Sequence, residues 1–389
     1  MKIDFPYLMS DDSYRLKWLV LFVSLAWLLQ WQVTMAHAEQ SFKSITGPCQ
    51  FQFPRDHGPH PGYRTEWWYY TGNLHTEMGE RFGFQLTFFR SQMSPPGAEK
   101  KWPQSPSAWR TQQLFLAHAA LSDIENGRFF DAEQMARGAL HMAEARQESD
   151  RVFISVKNWS ATITLEKHLL VAETPNFRLD LVLKPHKQPT AHGDSGYSLK
   201  GLNPESASCY YSMTRLEAGG SLYMNGRKVE LKGLAWMDHE YSSAPLEPDL
   251  VGWDWFSLQL DNGTELMIYL LRKGNDEYSG ASSGTLVKSS GETRYLSREM
   301  FQVEILNRWK SPHSQAVYPA GWRIMIPKLQ LDLRIAPNLA DQEMRTSETT
   351  RVTYWEGSVS VEGNLQGERV AGAGYVELTG YDKRFDAPL

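Results

Sequence analysis

Two aromatic hairpins, one beginning at Glu66 and the other at Trp253, constrain this chain more than any other feature of its sequence. Glu66 to Leu74 reads as a strand and residues 76–79 as a turn, and the return run sets Phe82, Phe84, Leu86 and Phe88 on one face. Trp253 to Leu260 then enters Asp261-Asn262-Gly263, an Asn-Gly hairpin signal, and Thr264 to Arg272 returns. The two are copies. At an offset of 186, Trp67 matches Trp253, Tyr69 matches Trp255, Tyr70 matches Phe256, Thr71 matches Ser257 and Leu74 matches Leu260. Phe88-Phe89-Arg90 answers Leu270-Leu271-Arg272, with four fewer residues in the second loop.

A second echo, in the same order, ends each half. Gly233-Leu234-Ala235-Trp236-Met237-Asp238 resembles Gly372-Ala373-Gly374-Tyr375-Val376-Glu377, and Tyr210-Tyr211 resembles Tyr354-Trp355. Repeats in conserved order argue for duplication. They predict a first domain over residues 46–241 and a second over 242–385. The fold class is all-β; one short helix is expected at Asp131 to Arg137, and residues 91–108 and 185–207 read as long Pro- and Ser-rich surface loops. Antiparallel strands joined by hairpins fit an up-and-down barrel, which at eight strands has room for one small ligand. A β-sandwich carries the same strand signature and is the alternative.

The N-terminus predicts export. Arg15 and Lys17 precede an apolar run from Trp18 to Trp31, and Ala36-His37-Ala38 follows with the small-x-small pattern of a cleavage site. That run falls short of the roughly 20 apolar residues a membrane span needs. Residues 1–38 therefore read as a signal peptide, with an uncleaved anchor as the alternative, and the protein as periplasmic or secreted. A net charge of −5 with no basic stripe excludes nucleic acid as a partner. Fourteen Trp, 17 Tyr and 17 Phe suit both strands and an apolar cavity. Cys49 and Cys209 lie in the exported part, where either a disulfide or two buried thiols would be stable.

The chemistry-bearing residues cluster at the junction of the halves. In Trp236-Met237-Asp238-His239-Glu240-Tyr241, an extended backbone puts Asp238 and Glu240 on one face and His239 and Tyr241 on the other. Carboxylates beside a histidine are the raw material of acid–base catalysis, although Glu377 at the end of the second half favours a structural role equally. Asp254 stands where the first half has Trp68, and its face-mates Phe256, Leu258 and Leu260 are apolar. Such a carboxyl is either paired, with His239 or Arg64 as candidates, or protonated and able to act as an acid. His57 and His60 lie in a Gly/Pro loop, and no complete metal-ligand set accompanies them. His118, in an apolar run, fits a satisfied core histidine. Phosphate-loop, nucleophile-elbow and zinc-protease motifs are absent.

Several stretches together resemble the AttH-like family: Phe53-Pro54-Arg55-Asp56-His57-Gly58, Arg64-Thr65-Glu66-Trp67-Trp68-Tyr69, His192-Gly193-Asp194, Gly233 to Glu240, Gly252-Trp253-Asp254-Trp255-Phe256, and Gly374 to Tyr381. The resemblance implies two tandem lipocalin-like (calycin-type) antiparallel β-barrels and a more distant kinship with carotenoid hydratases (hydroxyneurosporene synthases). It also implies work beside an exporter-type permease, with no cofactor and no metal. The main expectation is thus an exported protein binding a hydrophobic small molecule, a lipid or terpenoid. The alternative is a hydro-lyase adding water to an isolated alkene of a carotenoid-like substrate. Under that reading Asp254 or Asp238 protonates carbon and His239 orients water. Trp67, Trp68, Trp253 and Trp255, with Trp236, Tyr241 and Glu66, line the ligand site. Sequencing the N-terminus of protein recovered from its native envelope tests the export reading: Glu39 is expected first, whereas an intact Met1 would mean an anchored chain.

Overall fold

The computed structural model describes residues 41–385 apart from Asp276; the expected signal peptide, residues 1–38, lies outside the described residues. Both hairpins form as expected. Thr65–His75 pairs with Arg81–Gln92, and Leu250–Leu260 pairs with Glu265–Lys273. Each opening strand is then joined on its other edge by the last strand of its own half, Arg227–Ser242 in the first and Glu368–Leu378 in the second. The register places repeated residues at matching positions. Tyr69 lies opposite Asp238 as Trp255 lies opposite Glu377, and Tyr210 and Tyr354 sit on the penultimate strands Ala207–Met224 and Thr353–Leu365.

The result is an all-β molecule of one thirteen-stranded and one ten-stranded antiparallel sheet, with a further two-stranded ladder. Each large sheet curls into a nearly closed barrel whose two edge strands are consecutive in sequence. These are Arg128–Arg137 with Ala143–Glu148 in the first barrel, and Thr293–Ser297 with Gln302–Ile305 in the second. Because side chains alternate across a strand, each opening strand serves two packing layers. Trp68, Tyr70 and Leu74 point into the first barrel, and Phe256, Leu258 and Leu260 into the second, so both interiors are filled with apolar side chains. The intervening residues point outward, where Tyr69, Trp236, Trp255 and Tyr375 join one cluster shared by both barrels.

One expected element takes a different form. Residues 131–137 belong to the strand Arg128–Arg137 rather than a helix. Phe130, Ala132 and Ala136 alternate onto the first core, and a reading that begins at Asp131 misses Phe130, which starts the period of two. The loops 91–108 and 185–207 are largely irregular, although short pieces of the second, Thr190–Ala191 and Tyr197–Leu199, pair with Ala207–Met224. Cys49 and Cys209 form a disulfide with Cα atoms 5.9 Å apart, which ties the N-terminal segment to a central strand of the first barrel.

Polar contacts set how closely the barrels approach. Asn73 Nδ2 donates to the Gly374 carbonyl at 3.0 Å, and Gln259 Nε2 donates to the Thr214 and Ala235 carbonyls at 2.8 and 3.0 Å. Glu265 of the second barrel, fully buried, is held by Arg215 at 2.5 Å and Lys187 at 2.6 Å. At Gly83 the second barrel comes so near that a Cβ would lie 2.7 Å from Ser358 Cβ and 2.8 Å from the Tyr375 hydroxyl, so only glycine fits.

Candidate active site

The outward faces of the two opening strands do not meet everywhere. Between them lies a cavity of about 170 Å³. The half-buried Trp67, Phe89, Leu246, Trp253 and Phe385 surround its mouth, and Tyr69, Asp238, Trp255 and Glu356 lie deeper, each almost wholly buried. Both barrels contribute to its lining. The cavity therefore lies between the barrels, and its lining combines aromatic faces with four carboxyls, Asp238, Glu240, Glu356 and Glu377.

Asp238 is the best-defined of these. The closing strand places it outward, beside the register partner Tyr69, and three donors hold it. Tyr210 Oη donates to Oδ2 and Trp236 Nε1 donates to Oδ1, each at 2.6 Å, and Ser212 Oγ also donates to Oδ1. Burial is the larger effect and pushes the carboxyl up to about 7, even though these three hydrogen bonds favour the charged form. Behind Ser212 stands His192, whose Nε2 lies 2.6 Å from Ser212 Oγ and whose Nδ1 lies 2.9 Å from Thr285 Oγ1. Since Ser212 donates to Asp238, it accepts from His192 Nε2–H, and Nδ1 accepts from Thr285. Burial lowers the His192 imidazole to about 3, so the ring is neutral as this chain of hydrogen bonds requires. The turn that presents His192 needs Gly193 (φ +66°), where a Cβ would meet the Tyr197 carbonyl oxygen at 2.1 Å.

Two further groups complete the polar lining. Lys200 Nζ lies 2.5 Å from Glu240 Oε1 and 4.3 Å from the centre of the Tyr269 ring. Burial disfavours its charge, but Glu240 and Tyr269 together outweigh burial and hold the ammonium above its usual range. On the second barrel Glu356 and Glu377 are direct cross-strand partners. Burial, and then Glu377, push the Glu356 carboxyl well above the usual carboxylate range against Tyr69; burial, with Asp238, raises Glu377 as well, against a hydrogen bond with Trp253.

The residues singled out from sequence divide between this cavity and the barrel interiors. Trp67, Asp238, Trp253 and Trp255 line the cavity, and Trp236 supports Asp238 from behind. Trp68 and His239 face into the first barrel, stacked with ring centres 4.9 Å apart. There His239 Nε2 lies 2.9 Å from Glu66 Oε1, Arg90 Nε donates to Glu66 Oε2 at 2.8 Å, and His60 bridges Glu66 and Asp56 while stacking on Tyr241 at 3.7 Å. Burial opposes ionisation of Glu66, but Arg90 and the two histidines outweigh it and hold the carboxyl well below its usual range. His60, Glu66 and His239 bring ligand-type atoms within 4.8 Å of one another. Arg90 already neutralises Glu66, and burial of His60 is outweighed by Asp56 and Glu66, which raise its pKa, so the cluster balances its charge without a cation.

Asp254 is also an interior residue. Its partners are neither His239 nor Arg64. Arg272 Nε donates to Oδ1 at 2.9 Å, Tyr381 Oη donates at 3.0 Å, and the Arg272 guanidinium stacks 3.6 Å over the Tyr381 ring. It lies outside the cavity lining. Sequence reading did not single out Lys200 or Glu356 for the site. Glu356 had a usable signal, since it lies two residues beyond the repeated Tyr354 and so shares its face.

Fold and site define a class: two tandem lipocalin-like barrels with a carboxyl-rich aromatic cavity at their junction. The chain matches the AttH-like family over residues 44–381 and belongs to that family. Its structure is similar to that of an AttH protein from Nitrosomonas europaea, with 33% identity and a TM-score of 0.76, covering 87% of this chain and 100% of that one. It also shares its fold with kievitone hydratase from Nectria haematococca (15% identity, TM-score 0.67, covering 89% and 97%). In sequence it is 21% identical over 213 residues to the dehydratase asqC of Emericella nidulans, covering 52% of this chain and 58% of that protein's length.

The Asp254–Arg272 pair predicts a stability effect. Asp254→Ala leaves a buried guanidinium unpaired and is expected to lower the unfolding free energy in urea by about 3–5 kcal/mol, whereas Asp254→Leu with Arg272→Leu should recover most of it. A loss below about 0.5 kcal/mol for the single change would contradict this account of Asp254.

Proposed function

We propose that this protein is a hydro-lyase, adding water to an apolar alkene or removing it from the corresponding alcohol, with Asp238 as the proton donor. The observation that carries the reading is one carboxyl, buried among aromatic rings, with its pKa raised to about 7. Protonating an alkene carbon needs an acid that still holds its proton near neutral pH, and a desolvated carboxyl meets that need. The carbocation that follows is stabilised by aromatic faces, which Trp67, Trp253 and Trp255 supply from both barrels. Direct hydrogen bonds keep Asp238 oriented: Tyr210 donates to Oδ2, and Ser212 and Trp236 both donate to Oδ1.

The names of a hydratase and a dehydratase among its relatives favour this reaction class over passive carriage. The same lining serves ligand capture, so carriage of an apolar molecule is the second reading, favoured by the aromatic mouth. The Cys49–Cys209 disulfide supports work outside the cytoplasm. The Glu66 and Asp254 clusters, on this reading, hold the barrel walls and leave chemistry to the junction.

Incubation with farnesol and with lycopene in heavy-oxygen water tests the proposal. At least one is expected to yield an alcohol carrying the heavy oxygen. Asp238→Asn should reduce that product about 100-fold or more while ligand-induced quenching of tryptophan fluorescence persists. The rate should be highest where Asp238 is protonated and fall as pH rises through about 7. Binding without labelled product from either compound would favour carriage; labelling that survives in Asp238→Asn would remove Asp238 as the acid.

A further inference from the structure

Hydration moves two protons. One goes to carbon, and the other leaves the water that attacks. Asp238 accounts for the first. We propose that the Glu356–Glu377 pair, with the Tyr69 hydroxyl, forms a second proton-handling site that holds the water to be added or the hydroxyl to be removed. The proposal rests on the hydro-lyase reading for its chemistry but not for its ligand: a small hydroxyl group bound at the second barrel's wall.

Three observations place it there. Glu356 and Glu377 are opposite one another on neighbouring strands, both face the cavity, and no arginine or lysine pairs with either among the described residues. Three buried carboxylates elsewhere contrast with this, since Glu66, Asp254 and Glu265 each have an arginine at 2.5–2.9 Å. Secondly, the Tyr69 hydroxyl and the Glu356 carboxyl are buried side by side and act on each other, yet among the described residues neither Tyr69 Oη nor Glu356 Oε1 has any other hydrogen-bond partner. Buried polar atoms with so few partners are costly, and two of them in the lining of one cavity mark a place for a polar ligand atom. Thirdly, Asp238 has all its donors in place and offers no such opening. Burial with a like charge alongside favours one proton shared by the pair.

The step balances. Asp238 gives its proton to one alkene carbon, forming a C–H bond and a cation, and becomes a carboxylate. The water oxygen, held by Tyr69, bonds to the cation, and the ionised member of the Glu356–Glu377 pair takes the proton that water releases. The product has gained one H and one OH. Asp238 is then one proton short and the glutamate pair one proton richer, and a proton passing from the pair to Asp238 resets the site. Dehydration is the reverse. The substrate class follows: a branched alkene whose cation is tertiary, or the tertiary alcohol that corresponds to it, with an otherwise apolar body.

The test has one arm that needs no turnover. Binding of 2,6,10-trimethyldodecan-2-ol and of the matching hydrocarbon 2,6,10-trimethyldodecane is compared by tryptophan quenching. The wild type is expected to prefer the alcohol about tenfold, and Tyr69→Phe and Glu356→Gln should each erase most of that preference while binding the hydrocarbon as before. Equal affinity in the wild type, or a preference intact in both variants, overturns the hydroxyl site whatever the enzyme does. The second arm follows farnesol in deuterated, heavy-oxygen water. Glu356→Gln should keep exchange of deuterium into recovered farnesol, which needs Asp238 alone, and lose heavy-oxygen incorporation at least 30-fold. Loss of both labels in a variant that melts like the wild type, or retention of both, overturns the division of roles. A wild type that prefers the alcohol but incorporates neither label contradicts the hydro-lyase reading and leaves the hydroxyl site standing.

Discussion

Everything about this site follows from asking one strand to serve two cores. Thr65–His75 and Leu250–Leu260 each bury one face inside their own barrel and turn the other toward the second barrel. An ordinary exposed strand would place polar residues on that outer face and leave them hydrated. Here that face is covered together with the strands beside it, so Asp238, Glu240, Glu356 and Glu377 on those neighbouring strands lose water and must find donors, cations or protons. Glu240 finds Lys200, Asp238 finds three neutral donors, and the glutamate pair, with Tyr69 and Trp253 beside it, finds no paired cation among the described residues. The site's acid character is a consequence of docking two barrels over carboxyls.

Duplication explains why the site is two-sided, and divergence explains why its sides differ. Asp238 and Glu377 hold equivalent positions, each opposite an aromatic residue of an opening strand. The residue across the next pairing is Ser212 in the first barrel and Glu356 in the second. A serine donor yields a carboxyl that is oriented, and a second carboxyl yields a pair that shares a proton. Arg90 and Arg272 show the same history in the interiors. Each holds a carboxylate of its opening strand, Glu66 in one and Asp254 two positions further along in the other.

The fold was legible from sequence because its signals are local and repeated. Strand period, the Asn-Gly turn and the copied order of aromatic residues lead to two barrels without any knowledge of their packing. The cavity's tryptophans and Asp238 were legible for the same reason, lying beside the repeats. Asp254 misled because a carboxylate on an apolar face announces burial but not its partner; Arg272 was visible as the match of Arg90, yet nothing local tied it to Asp254. Lys200 comes from a loop and Glu356 from the other half of the chain, so their meeting at one cavity depends on how the barrels dock. That is tertiary information, and a strand pattern does not contain it.

The central claim is that ligand chemistry takes place between the barrels and not within either. A crystal of the mature protein soaked in 11-bromoundecan-1-ol tests this directly, because bromine is located by its anomalous signal. The account predicts bromine in the space bounded by Trp67, Trp253 and Asp238. A bromine inside the first barrel beside Trp68 and His239, or inside the second beside Phe256, with the junction empty, would contradict it.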